Sequence, residues 1–150
     1  MSTRSLTTFI QTWTDKEKQK KRTEKIVTVY RQFDGYPTGH GMELAEFLKS
    51  GEMVNGIGNQ QHRVFNGIGC LIAQFIKDFK DGAGGIYVHR GGAKDMWEDY
   101  HYHVIFDHDT NKLTMKCISV GMKSNKVLFN GDPADFITKY TKRSEEHTSE

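Results

Sequence analysis

The stretch Val64–Lys80, VFNGIGCLIAQFIKDFK, decides how this chain is read. Phe65, Ile68, Leu71, Ile72, Phe75, Ile76 and Phe79 recur every three or four residues, which is the spacing of one face of a helix. The pattern predicts a central core helix over these residues. Gly67 and Gly69 lower its helix propensity, and their lack of a side chain predicts close packing against a sheet.

Outward from this helix the pattern changes period. Tyr100–Asp107 (YHYHVIFD) alternates strictly, with Tyr100, Tyr102, Val104 and Phe106 on one side and His101, His103 and Ile105 on the other, as a strand requires. Lys112–Val120 reads as its hairpin partner across the turn HDTN, and Val127–Phe129 as a short edge strand. Gly84–Arg90 reads as a further strand and Gly91–Lys94 as a turn. Asp132-Pro133 opens a last short helix, with Asp132 at the N-cap and Pro133 in the first turn. Phe136, Ile137 and Tyr140 form its inner face.

On the N-terminal side, Met42–Ser50 reads as a short helix with Leu44, Phe47 and Leu48 inward and Gly51 as its stop. Arg4–Ile10 and Lys25–Phe33 read as two strands of a hairpin. The charge run Asp15–Lys25 between them reads as a solvated loop. Asn55–Arg63 reads as a polar loop. Runs of strands separated by runs of helices give an α+β class. The expected fold is an antiparallel sheet with two main helices packed on one face and a short C-terminal helix.

The 150 residues fit one domain with its own core. The hydrophobic share of 36% and charged share of 27% exclude a disordered chain. No apolar run reaches membrane-span length, and MSTRSLTTFI lacks the apolar stretch of a secretory signal, so the expectation is a protein that is neither membrane-bound nor exported. Residues 143–150, RSEEHTSE, look like translated adapter sequence and are set aside, which leaves 1–142 as a single α+β domain. What remains is mildly basic; this favours anionic small ligands without requiring nucleic acid. Cys70 and Cys117 sit in apolar segments as small buried hydrophobes, with no Cys-x-x-Cys pattern.

The densest cluster of chemistry-bearing residues follows the second predicted strand. Arg31, Gln32, Phe33, Asp34, Tyr36 and His40 fall within ten residues, where the strand end runs into a glycine-rich turn, DGYPTGHG, that leads into a helix. Free N–H groups and the dipole at a helix start attract anions. Arg31 offers two-pronged phosphate binding, and Phe33 or Tyr36 offers base stacking. The Gly-Lys-Ser/Thr ending of a phosphate-binding P-loop is absent. A second group is Arg90, Trp97, His101 and His103. Two histidines two apart suit a metal or acid–base chemistry, but no third ligand at suitable spacing is evident, His89 and Asp107 being the candidates, and no nucleophile or carboxylate pair accompanies them. The expectation is therefore a ligand-lining face, with no catalytic residue, no metal and no cofactor. If the first two strands pair, Arg4 joins Arg31, with Arg90, in a cationic patch.

The runs TRSLT (Thr3–Thr7) and VYRQFDGYPTGHGMELAEFL (Val29–Leu48), with Asn55-Gly56-Ile57, resemble a family of small uncharacterised bacteriophage proteins over most of residues 1–130. The layout also resembles, more loosely, the phage anti-Thoeris sponge proteins. The matching order is Arg4, Val29–Gly35, Leu44–Leu48, Val64–Phe79, Gly84–Arg90 and Trp97–Phe106. The long basic hairpin loop and the segment Pro37-Thr38-Gly39-His40-Gly41 depart from that layout. The resemblance implies a phage anti-defence protein in the cytoplasm of an infected bacterium. Such a protein forms a homo-oligomer and sequesters a cyclic nucleotide or ADP-ribose-type immune signal without cleaving it. Two alternatives are an enzyme that degrades such a nucleotide through His40, His101 or His103, and a protein–protein inhibitor of a host factor.

Overall fold

A computed structural model describes residues 2–54 and 63–148, with side chains to Lys142. The N-terminal hairpin consists of β1 (Ser5–Asp15) and β2 (Lys20–Arg31). A single wide turn over Pro37–Gly41 with π-helical hydrogen bonding then runs into α1 (Met42–Lys49). Two short strands follow, β3 (Gly51–Val54) and β4 (Arg63–Asn66), and then α2 (Gly67–Phe79). The second half comprises β5 (Ile86–Arg90), β6 (Tyr100–Asp107), β7 (Lys112–Ser119), β8 (Lys126–Gly131) and α3 (Pro133–Thr148).

Six strands form one sheet in the order β5-β2-β1-β6-β7-β8, and β3 and β4 form a separate parallel pair. The class is α+β. The main sheet is antiparallel except at its centre, where β1 and β6 run parallel. Parallel neighbours need a crossover. Residues 91–99 supply it, passing from the edge strand β5 over β2 and β1. The crossing lies on the face away from the helices. There Thr28 Oγ1 donates to Gly91 O at 2.9 Å, Ala93 and Glu98 are buried, and Leu6, Thr8 and Thr28 are shielded. On the other face Phe9, Val29, Tyr102, Val104, Met115 and Cys117 pack with α1, α2 and α3 in one core. Phe75 meets Phe9 edge-on at 5.1 Å and stacks on Phe79 at 4.2 Å.

Several expectations need correction. The charge run is strand, not loop: both strands of the hairpin extend into it, leaving only residues 16–19 to turn. Cross-strand partners make this tolerable, such as Gln11 with Glu24 and Arg22 with Asp15, and Lys21 reaches Asp107 and Asp109. The core helix starts at Gly67 instead of Val64, because Arg63–Asn66 pairs with Gly51–Val54. Gly67 makes the change of direction at φ +85°, a conformation that strains any residue with a Cβ. A Cβ on Gly67 or Gly69 would touch nothing within 4 Å, so neither glycine serves close packing. Most of the predicted polar loop, with Asn55-Gly56-Ile57, lies outside the described residues. Asp132 caps α3 as expected, accepting from Ala134 N at 2.8 Å, and the backbone stays helical to Thr148. Among the described residues no helix is long and apolar enough to cross a membrane.

Candidate functional site

The loop after β2 is held from three sides. Gln32 N donates to Gly85 O at 2.8 Å, Gly35 N to Thr3 O at 2.9 Å, and the buried Tyr102 hydroxyl to Gly35 O at 2.7 Å. Gly35 lies so close to the start of β1 that a Cβ would come within 2.8 Å of Ser5 Cβ and 2.9 Å of the Arg4 carbonyl carbon. Asp34 adopts φ +57°, a region Asp and Asn tolerate better than most residues.

The helix start does not offer the anion site expected there. The N–H groups of Gly39 and Gly41 go to Tyr36 O, that of His40 to Asp34 O and that of Met42 to Pro37 O. The π-helical turn consumes the donors that a bare helix N-terminus would leave free.

His40 is 1% exposed. Arg31 Nη1 lies 2.8 Å from its Nδ1, and Thr7 Oγ1 lies 2.8 Å from its Nε2. A guanidinium can only donate, so Nδ1 accepts and Nε2 carries the proton that goes to Thr7. The rings of Phe75, Phe79 and Tyr102 surround the imidazole edge-on. Burial, reinforced by the neighbouring guanidinium, lowers its pKa to about 3. His40 is therefore a neutral interior group that orients Arg31.

Arg31 is fixed further: Nε donates to Phe33 O at 2.7 Å and Nη1 to Glu43 Oε2 at 2.5 Å. Nη2 has no partner among the described residues and is not buried. Arg31 lines a cleft of about 520 Å³ together with Phe33, Asp34, Glu43, Asp78, Phe79, Asp81, Gly85 and Ile86. Glu43 is paired with Arg31, and Asp78 with Arg63 at 2.6 Å. The carboxylates of Asp34 and Asp81 have no ion-pair partner among the described residues. Phe33, 52% exposed, stands at the rim. The sequence reading picked out Arg31, Phe33 and Asp34. It missed Glu43, Asp78, Phe79 and Asp81, which come from α1, from α2 and from the loop after α2.

Arg4 lies at the same end of the sheet, since Ser5 pairs with Arg31. Its side chain is exposed and pairs with no described carboxylate. Thr3 O holds the loop carrying Phe33 and Tyr36 on one side, and Arg4 O accepts from Asp99 N at 2.9 Å on the other, two residues from Trp97. Trp97 is 85% exposed, at φ +63°. Arg90 does not join this group: it pairs with Val27, at the opposite end of β5 from Ile86, which pairs with Arg31.

His101 and His103 lie on the far face, beside the crossing segment. Thr28 donates to Gly91 O, so Thr8 must donate to Thr28 at 2.9 Å and accept from His101 Nε2 at 2.7 Å. Glu98 Oε2 lies 4.0 Å from His101 Nδ1. Hydroxyl, imidazole and carboxylate thus follow the order of a catalytic triad, but the roles are reversed. The imidazole donates to a threonine that is 2% exposed and whose own proton is committed elsewhere. Burial lowers the pKa of His101, opposed by Glu98 and aided by Lys25. Burial, with His101, Lys116 and Lys25 nearby, lowers that of His103 to about 4. Cys117 is buried and its thiol is pushed up to about 12, which makes it inert. Cys70 is also free. Among the described residues no three His, Cys, Asp or Glu side chains converge as metal ligands.

No protein-family model matches the chain, and neither a curated protein nor a solved structure matches it.

Proposed function

We propose that this protein binds a nucleotide-type signalling molecule in the Arg31 cleft and holds it without cleaving it. On this reading it is a phage anti-defence protein that sequesters a cyclic nucleotide or ADP-ribose-derived immune signal. The carrying observation is the state of Arg31. Three hydrogen bonds through Nε and Nη1 fix its guanidinium, none of them uses Nη2, and Arg31 lines a cleft together with Phe33, whose ring is exposed. A donor oriented in advance loses little entropy on binding. Arg4, at the same end of the sheet, lines a separate cleft with Ser2, Thr3, Asp99 and Tyr100.

The histidines support holding over cutting. His40 is neutral and interior, and His101 donates into a threonine chain on the far face. A general acid or base must reach the proton it moves, and neither lines the cleft. The test is to denature the purified protein, chromatograph the supernatant for released nucleotide, and screen cyclic mono-, di- and trinucleotides and ADP-ribose derivatives by thermal shift. A shift with the compound recovered intact supports the reading. No shift with any of them overturns it, and turnover points to the enzyme.

A second reading, an inhibitor of a host protein, draws on Trp97, whose exposure on the crossing segment suits a protein contact. Pull-down that Trp97→Ala abolishes would favour it. The sponge resemblance also implies a homo-oligomer, which sedimentation of the purified chain measures.

A further inference from the structure

We propose that the Arg31 cleft reads a guanine base; the inference rests on the nucleotide-binding function above and narrows it. The lining combines groups that only donate with groups that only accept. Arg31 Nη2 is a fixed donor. Asp34 and Asp81 are acceptors whose charge no described cation neutralises, whereas Glu43 and Asp78 already have arginine partners. A purely phosphate-binding cleft would not be built this way. Of its four carboxylates two, Asp34 and Asp81, keep an uncompensated charge among the described residues, and these repel a phosphoryl group. The charged part of the ligand belongs outside the cleft, in solvent. The part that enters must be neutral, flat enough to lie on Phe33, and must carry donors and acceptors on separate edges.

Guanine meets these demands better than the other bases. Its N1–H and N2 amino group are adjacent donors that match both oxygens of one carboxylate, and its O6 and N7 are adjacent acceptors that suit arginine. Adenine and cytosine offer one amino group beside a ring acceptor, and that acceptor would face a carboxylate oxygen with no proton between them. Uracil places its single imino donor between two carbonyls. Each of these would leave a carboxylate oxygen desolvated and unpaired. The inference favours guanine-bearing nucleotides over ADP-ribose-type compounds, whose base is adenine.

The test is calorimetric titration of the full chain with the 3′,5′-cyclic monophosphates of guanosine, inosine, adenosine, cytidine and uridine, and with cyclic di-GMP and cyclic di-AMP. Inosine is the sharpest probe because it lacks only the N2 amino group. Guanine ligands should bind about tenfold or more tightly than their inosine and adenine counterparts. Asp34→Asn and Asp81→Asn, singly or together, should erase most of that ratio. Asparagine tolerates the backbone of Asp34, and circular dichroism confirms that each variant is folded. Equal affinity for guanine and inosine, or a preference unchanged in the Asp34→Asn/Asp81→Asn double variant, overturns the inference while leaving nucleotide binding standing. No binding of any nucleotide overturns both.

Discussion

Replacing His40 with phenylalanine separates the packing of this residue from its hydrogen bonds. The ring stays among Phe75, Phe79 and Tyr102, but Thr7 and Arg31 each lose a partner. Two broken buried bonds, one of them to a charged group, cost about 2–4 kcal/mol at neutral pH. The pH dependence adds a second, independent signature. The folded-state pKa of His40 is lowered from 6.5 to about 3. The unfolded chain therefore binds more protons between those values, and stability falls as pH drops through that window. By pH 4.5 the wild type has lost about 3 kcal/mol through this residue, at about 1.4 kcal/mol per pH unit. Phenylalanine does not titrate and suffers no such loss. Urea unfolding of both proteins at pH 7.5 and pH 4.5 measures the difference. The stability gap between them should shrink by about 3 kcal/mol on acidification. A gap that stays constant would refute the assignment of His40 as a buried neutral group.

Other consequences follow from the same geometry. Gly67→Ala should destabilise the protein by about 1–2 kcal/mol because its φ is positive, whereas Gly69→Ala, inside α2 with open space around it, should stabilise by about 0.5–1 kcal/mol; thermal unfolding compares the two. Gly35→Ala should push the 33–36 loop off β1, lowering the unfolding midpoint and weakening any ligand of the cleft, and retention of both would contradict the packing described. Nitrogen-15 spectra of the imidazoles should show His40 and His101 both as Nε2–H tautomers at pH 7; an Nδ1–H form of either would break the hydrogen-bond directions given above.

What the sequence disclosed depended on how local each signal was. The alternation of Tyr100–Asp107 and the Asp132-Pro133 helix start are local patterns, and the structure keeps both. The hairpin arms were misread because charged residues on a two-sided exposed ribbon mimic a loop. The start of α2 was misread because Phe65 fits a helical face as well as it fits β4, and only the pairing with β3 decides. The parallel β1–β6 pair joins residues 95 positions apart, such as Ser5 and Tyr100, which no periodicity reports. At the site, Arg31, Phe33 and Asp34 stood out because they crowd one turn. Glu43, Asp78 and Asp81 did not, because acidic residues on and after helices look like ordinary solvated surface. His40 stood out for the wrong reason: the chain folds it inward, and its task is to aim Arg31.

The central claim is that the cleft beside Arg31 is where a nucleotide is held. Amide and guanidinium NMR spectra of the isotope-labelled protein, recorded while the binding nucleotide is added, test it most directly. The account predicts that the Arg31 side-chain signals and the amides of Phe33, Asp34, Asp81 and Gly85 shift together and saturate at one stoichiometry. Shifts confined to the far face around His101, His103 and Glu98, or to Trp97 alone, would contradict it.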